Sequence, residues 1–424
     1  MLSPDAWIAG AIFLVAYVVI ATERFDRTLI ALLGGLVVVV LGVIDQHEAF
    51  AAIDLNVIFL LVGMMIIASA LSKTGFFEWV AVRSVVLSRG QPLVLLVILS
   101  VVTAVLSAFL DNVTTVVLTT PITLSISRRL GISPMPYLVA SILASNIGGT
   151  ATLIGDPPNI LIGSAAGLSF GDFLVHLAPV TLVVFAAYLG IVTFMFRGHL
   201  QVPTEQREAA LEATEPVAIH DRRLLARVLI VAALTLVGFL LHSLLGLEAA
   251  TVALLGATVV MLVGRLDPHE MLRSVEWSTL MFFVGLFVLV EAVVHVGIIG
   301  AIADVLVQAT GGDAGLASIG LLWFSALASA IVDNIPYTAS AIPIVDQLVQ
   351  SGLPAQPLWW SLALGACLGG NLTIIGASAN IVVANQAARE GYPIRFLEFL
   401  RYGAVVTLAS LAISTVYVWL RYLS

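Results

Sequence analysis

Two Asp-Asn pairs stand inside long apolar stretches, where charge is expensive. Asp111-Asn112-Val113-Thr114-Thr115 interrupts the stretch from Pro92 to Arg129, and Asp333-Asn334-Ile335-Pro336-Tyr337-Thr338 interrupts that from Gly315 to Ser351. Each supplies a carboxylate, an amide and hydroxyls within a few residues. Such a set can exchange protons, ligate a small cation or hydrogen-bond a neutral polar solute. A charge at the centre of a bilayer on a lipid-facing helix costs at least about 2.5 to 3.5 kcal/mol. Each stretch is therefore expected to be a re-entrant hairpin whose polar tip is buried in protein. As the terminal residue before a helix, Asp111 or Asp333 would also serve as an N-cap, which does not exclude a role in chemistry.

Two further apolar runs are interrupted by glycine and amide clusters. The first reads Asn146-Ile147-Gly148-Gly149-Thr150-Ala151-Thr152 and then Gly155-Asp156-Pro157-Pro158-Asn159. The second reads Gly369-Gly370-Asn371-Leu372-Thr373 and then Gly376-Ala377-Ser378-Ala379-Asn380. Glycine releases a helix and proline cannot donate the missing bond, so both runs are expected to be broken helices. Half-helix N-termini then point at anions or neutral acceptors, and C-terminal carbonyls at cations. Two broken helices and two hairpin tips can enclose one small site. Within it, Asp111, Asp156 and Asp333 are the candidate proton-coupling groups, and Asp156 has no acidic counterpart because Ala377 stands in its place. Glu291 and His295, one turn apart, read as a structural pair near a membrane interface. Cys367, beside Gly365 and Gly369, reads as a small packing residue.

The elements that must position these groups follow from composition. Of 424 residues, 60% are apolar and 10% charged, whereas a soluble domain carries about 25% charged residues. A water-soluble enzyme is thereby excluded. The net charge of -8 leaves no basic footprint for nucleic acid. One cysteine permits no intrachain disulfide or zinc cluster, and Lys73, the one lysine, follows no phosphate-loop glycine pattern, so no cofactor is expected. The first apolar run lacks a signal-peptide pattern and is expected to remain as a helix. Membrane crossings are expected near Ala6 to Thr22, Thr28 to Ile44, Leu55 to Ser72, Tyr137 to Gly163 and Phe173 to Phe196. Five more are expected near Val228 to Gly246, Ala249 to Gly264, Thr279 to Val296, Leu358 to Ala388 and Phe399 to Leu420.

The two halves repeat each other. At one constant spacing, Gly42, Asp45, His47 and Glu48 recur as Gly264, Asp267, His269 and Glu270, and Ser107, Asp111, Asn112 and Pro121 recur as Ser329, Asp333, Asn334 and Pro343. At a spacing shorter by one, Gly148, Gly149, Thr152, Gly155 and Asn159 recur as Gly369, Gly370, Thr373, Gly376 and Asn380. Five crossings per repeat make the second copy inverted. The expected organisation is a first repeat over 1–196, a charged cytoplasmic linker over 197–227 and a second repeat over 228–424. With the linker cytoplasmic, every Lys and Arg but Arg421 falls on that face, and both termini lie outside.

Asp-Asn-Val-Thr-Thr at 111–115, the run Ser145 to Asn159 and the run Leu368 to Asn380 resemble the ArsB/NhaD permeases of the ion transporter superfamily, which also holds the P protein and citrate carriers. The resemblance covers almost the whole chain. It implies an all-α polytopic fold of two inverted repeats, each with a re-entrant hairpin and a broken helix, working as an elevator-type secondary carrier in the plasma (inner) membrane. It also implies a homodimer and, in some members, an ATPase subunit as partner. Arsenite, a neutral trihydroxide, suits a site of Asn, Thr, Ser and backbone donors with proton-carrying acids. The expected function is proton-coupled efflux of arsenite or antimonite. A Na+/H+ antiporter with Asp111, Asp156 and Asp333 as cation ligands is the alternative. Organic anions are disfavoured by the absence of Lys and Arg from the expected site.

Overall fold

The computed structural model describes residues 3–22, 24–129, 131–198, 200 and 219–424. The described residues form helices and turns. In the first half these are α1 (Pro4–Thr22), α2 (Arg27–Val40), α3 (Gln46–Ala51), α4 (Leu55–Ser72), α5 (Phe76–Ser88), α6 (Pro92–Phe109), α7 (Asn112–Arg129), α8 (Met135–Gly149), α9 (Pro157–Ala166), α10 (Phe170–His176) and α11 (Ala178–Phe196). In the second half they are α12 (Arg222–Leu241), α13 (Ala249–Gly264), α14 (Pro268–Arg273), α15 (Trp277–His295), α16 (Ile298–Thr310), α17 (Ala314–Val332), α18 (Asn334–Gln350), α19 (Ala355–Gly369), α20 (Ser378–Arg389) and α21 (Phe396–Val418). Helices α2 to α7 start at Arg27, Gln46, Leu55, Phe76, Pro92 and Asn112, and α13 to α18 start at the repeat counterparts Ala249, Pro268, Trp277, Ile298, Ala314 and Asn334. The repeat read in the sequence is thus a repeat of helix boundaries.

Aspartates set several of these starts by accepting bonds from orphan amides of the first turn. Asp45 caps α3 and its counterpart Asp267 caps α14. Asp221 caps α12, and the donated amides of Leu224 and Arg223 hold its carboxyl below the usual range. Among the described residues, eight helical segments are long and apolar enough to cross a membrane, with Gln46–Ser72 counted as one, or nine if the bent pair α9–α10 is one span. The hairpin arms α6 and α17 are among them, whereas α8, α9, α19 and α20 are half-length pieces of broken helices.

The halves interlock. Helix α4 lies along α13, and α15 lies along α2. A methyl group added at Gly63 would come within 2.6 Å of the Ala253 carbonyl carbon, and one at Gly285 would overlap the backbone of Ala31 and Leu32. These are the same contact made once in each direction, since Gly63 and Gly285 are repeat counterparts, as are Ala31 and Ala253. They require glycine because the backbones touch. Polar links repeat in the same way: the Ala250 amide donates to Asn56 Oδ1 at 3.0 Å, and Thr28 Oγ1 lies 2.8 Å from Ser278 Oγ. So do ion pairs: Lys73 pairs with Glu270, and His295 Nδ1 lies 3.4 Å from Glu48 Oε2. His295 therefore pairs across the repeat and not with Glu291 as the sequence suggested. Its counterpart in the first half is Lys73.

Three features depart from expectation. The crossing expected to start at Phe173 starts at Ala178, because α10 turns through 113° from α9 after Gly167 (φ 64°), and Ser169 and Asp172 form a capping box. Helices α5 and α16, each entered through a left-handed glycine (Gly75, Gly297), lie outside the expected crossings. Helix α12 begins at Arg222, inside the expected linker; residues 201–218 of that linker lie outside the described residues.

Candidate functional site

The breaks come first. Helix α8 stops at Gly149 and α9 restarts at Pro157, whose missing N–H is no loss at a helix start. The side-chain amide of Asn159 donates to the carbonyls of Gly149, Thr150 and Thr152 at 3.3, 3.2 and 2.9 Å, occupying the acceptors that the break exposes. Asn380 does the same for Gly370 and Thr373 at 2.7 and 2.9 Å. The hydroxyls of Thr152 and Thr373 donate to Ala108 and Ala330, tying each break to the hairpin arm beside it. Gly148 and Gly369 let those arms approach: a methyl at Gly148 would overlap the Ala104 carbonyl, and one at Gly369 the Ala326 backbone. Thr150 and Thr338 donate to their own helices, through Asn146 and Asn334 carbonyls. These residues build the site and leave its open valences to others.

The hairpin tips meet the breaks. Asp111 accepts the Thr114 amide at 2.9 Å and Asp333 that of Ile335 at 3.0 Å, so both acids are N-caps. Asp333 holds a rare backbone conformation (φ 87°, ψ 141°), a strain of about 1 to 3 kcal/mol that surrounding structure must offset. Between the tips lies Asp156. It stands at the N-cap position of α9 but makes no capping bond. Its carboxylate accepts the Asn112 amide at 3.1 Å and the Asn334 amide at 3.1 and 3.2 Å, one from each hairpin. Asn112 also reaches Asn146 Oδ1 at 3.2 Å, and Asn146 donates to Asn371 and Asn380 at 3.0 and 2.9 Å. One chain of amides therefore joins both tips and both breaks. All its members are at most 2% exposed. No cation pairs with Asp156 among the described residues. At the first tip, Asn112 Oδ1 and Thr115 Oγ1 are buried with no hydrogen-bond partner among the described residues.

Asp333 faces the other way, into a cavity of about 190 Å³ lined also by Arg27, Phe282, Pro336 and Ser378. Its Oδ2 accepts Ser378 Oγ at 2.7 Å and lies 3.4 Å from Arg27 Nη1, which also contacts Ser378. The guanidinium sits 5.1 Å over the Phe282 ring. This corrects the expectation of a site without Lys or Arg. Nothing local marks Arg27 as a site residue; the one sequence signal is that its repeat counterpart is Ala249. A second cavity, of about 350 Å³, is lined by Asn56, Leu60, Ile160, His242, Leu247 and Ala249, the counterparts of first-cavity positions or their neighbours. Asp333 lines the first cavity, while Asp111 does not line the second.

One candidate sits differently from expectation, and one residue read as packing also meets the site. Tyr337 turns its hydroxyl to Ser325 Oγ at 2.8 Å, on the side of the hairpin away from the amide chain. Cys367 is buried among close-packed residues; its Sγ lies 3.4 Å from Asn159 Oδ1, and its thiol also bonds Asp156, from the place in the second half that Asn146 holds in the first.

Comparison with known proteins agrees with this architecture. A protein of Mycobacterium tuberculosis named uncharacterized transporter Rv2684 is 46% identical, over 98% of each chain. The human P protein is 34% identical over 97% of this chain and 59% of its own length. The crystal structure of the YdaH transporter of Alcanivorax borkumensis superimposes with a TM-score of 0.61 at 15% identity, covering 99% of this chain and 98% of that one. The family model described as citrate transporter matches residues 17–365. An integral membrane protein of two interlocked helical repeats, this chain belongs to that transporter family.

Proposed function

We propose that the chain is a secondary carrier in which Asp156 holds the coupling proton or cation. The observation that carries this reading is a fully buried carboxylate, bonded by amides from both hairpin tips and paired with no cation among the described residues. A carboxylate so placed is stable only with a bound proton or cation, since two neutral amides and the Cys367 thiol do not offset its lost hydration. Any movement of a hairpin changes its partners, and that couples ion release to solute passage. The hairpins and broken helices would move as one block past the interlocked α2, α4, α13 and α15, an elevator motion. The ion pairs support the cytoplasmic linker and external termini: Lys73–Glu270 and Arg128–Glu390 join residues of the arginine-rich face, and Glu48–His295 joins residues of the other.

As solute we propose arsenite or antimonite, exported against entering protons, because the amide chain offers donors and acceptors suited to a neutral trihydroxide. Sodium–proton exchange is the second reading, favoured by the unpartnered oxygens of Asn112 and Thr115 at the first tip. Arg27 removes the argument against an organic anion, so citrate belongs in the same assay. Everted vesicles would be tested for arsenite, sodium and citrate transport with wild type and Asp156→Asn. The expected result is proton-driven arsenite uptake that loses its dependence on the pH gradient in the variant. Sodium transport that collapses in Asp156→Asn, with no arsenite movement in either protein, would establish the second reading. Coupling unchanged in the variant would remove Asp156 from the mechanism.

A further inference from the structure

Behind the second hairpin, on the side away from the amide chain, α16, α17 and α18 enclose a cavity of about 410 Å³. Its walls include Ile302, Leu306, Ala317, Gly320, Phe324 and Ile344, and no lining residue is charged. The corresponding space behind the first hairpin holds about 10 Å³. The sequence explains the difference. Where the first hairpin arm carries Leu95, Ile98 and Leu106, the second carries Ala317, Gly320 and Ala328 at the counterpart positions.

Water is a poor occupant. A buried water needs two to four polar partners, and the few hydroxyls of this wall are already engaged with protein groups. Tyr337 is bonded to Ser325, Ser340 to Tyr17 and the Pro336 carbonyl, and Thr310 to the Leu306 carbonyl. An empty space of this size would forfeit dispersion contacts along its whole lining. The mouth points to what fills it. Leu316 and Phe324 on α17 and Ile302 on α16 are 64%, 65% and 40% exposed, and beside them stand Leu327 and Ile331, also exposed. The cavity therefore continues into the apolar surface that a membrane-spanning helix presents to lipid.

We propose that an acyl chain of a bilayer phospholipid occupies this cavity and braces the second hairpin from behind. The occupant touches α18 at Tyr337, Ser340 and Ala341, within the turns that follow the strained Asp333. A lipid tail there transmits the state of the bilayer to one hairpin and not to the other. The proposal goes beyond the carrier reading and does not depend on the solute.

The test uses full-length protein in vesicles of phosphatidylcholine bearing a diazirine on one acyl chain, with adducts located by mass spectrometry after illumination. Adducts are expected to concentrate on the facing surfaces of α16, α17 and α18, above the background on exposed Leu182 and Phe194 of α11. A Cβ added at Gly320 meets no neighbouring atom within 4 Å, and Gly320 lines the cavity, so Gly320→Phe directs a ring into it. That variant should lose the cavity adducts and keep those on α11. Ala317→Leu with Gly320→Ile, which copies the first half, should do the same. Gly190→Phe, also in open space on α11, should keep the cavity adducts. Cavity labelling no stronger than on α11, or labelling that survives both filling variants, would overturn the proposal.

Discussion

Asp156 and Asp333 are two buried acids with opposite neighbourhoods. Two amides and the Cys367 thiol meet the first, while a guanidinium and a hydroxyl meet the second. Removing one partner of a buried charge pair costs about 3 to 5 kcal/mol, and Arg27, with a side chain 31% exposed, should cost less. Arg27→Gln is expected to lower the melting temperature and slow transport, and Arg27→Lys to lie nearer wild type. If the Gln variant matched wild type in both measurements, the pair would have no part in holding the tip. The acids and amides of the site were legible in the sequence because polar residues inside apolar runs have few roles. Arg27 was not. It meets Asp333 from the far end of the chain, and only the packed chain places a residue from the start of an ordinary apolar helix beside a hairpin tip. Likewise, no spacing distinguishes Asn159, which staples a break, from Asn112, which meets Asp156.

At the scale of elements, hairpin arms α6 and α7 fall where the apolar stretch Pro92 to Arg129 placed them, and α4 and α13 match their expected spans. Long apolar runs with polar interruptions leave little choice of structure in a bilayer. The misread elements are those without such a constraint. Helices α5 and α16 are short, and the kink between α9 and α10 depends on a left-handed glycine and a capping box. Close approach is where element packing is least tolerant. Gly63→Leu would drive a side chain into the Ala253 backbone, and overpacking of this kind costs about 1 to 3 kcal/mol. Thermal unfolding in nanodiscs is expected to show a loss of that size, and Gly285→Leu should show its equal. A neutral result at Gly63 would mean that α4 and α13 can separate at little cost.

For the whole molecule, the reciprocal contacts between the halves matter most. The faces that α2 and α4 bury are covered by α15 and α13, and arms α7 and α18 cross to α20 and α9. The repeat itself could be read from residues recurring at a constant spacing, but their partnership could not: a repeated sequence is equally compatible with two self-contained lobes. The interlock has a consequence for how the chain is made. A ribosome delivers the first half while the faces that α2, α4, α7 and α9 bury against the second half still lack their partners. Glycine seams such as Gly63 and amides such as Asn146, which donates to Asn371 and Asn380, must wait in the membrane, exposed to lipid or to insertion machinery, until most of the second half has emerged. Neither half is then a folding unit by itself. If the chain is divided between Leu200 and Ile219, each half expressed alone should be degraded, and the two expressed together should accumulate and transport. Stable accumulation of a lone half would show that the seams close late and at little cost to the waiting chain.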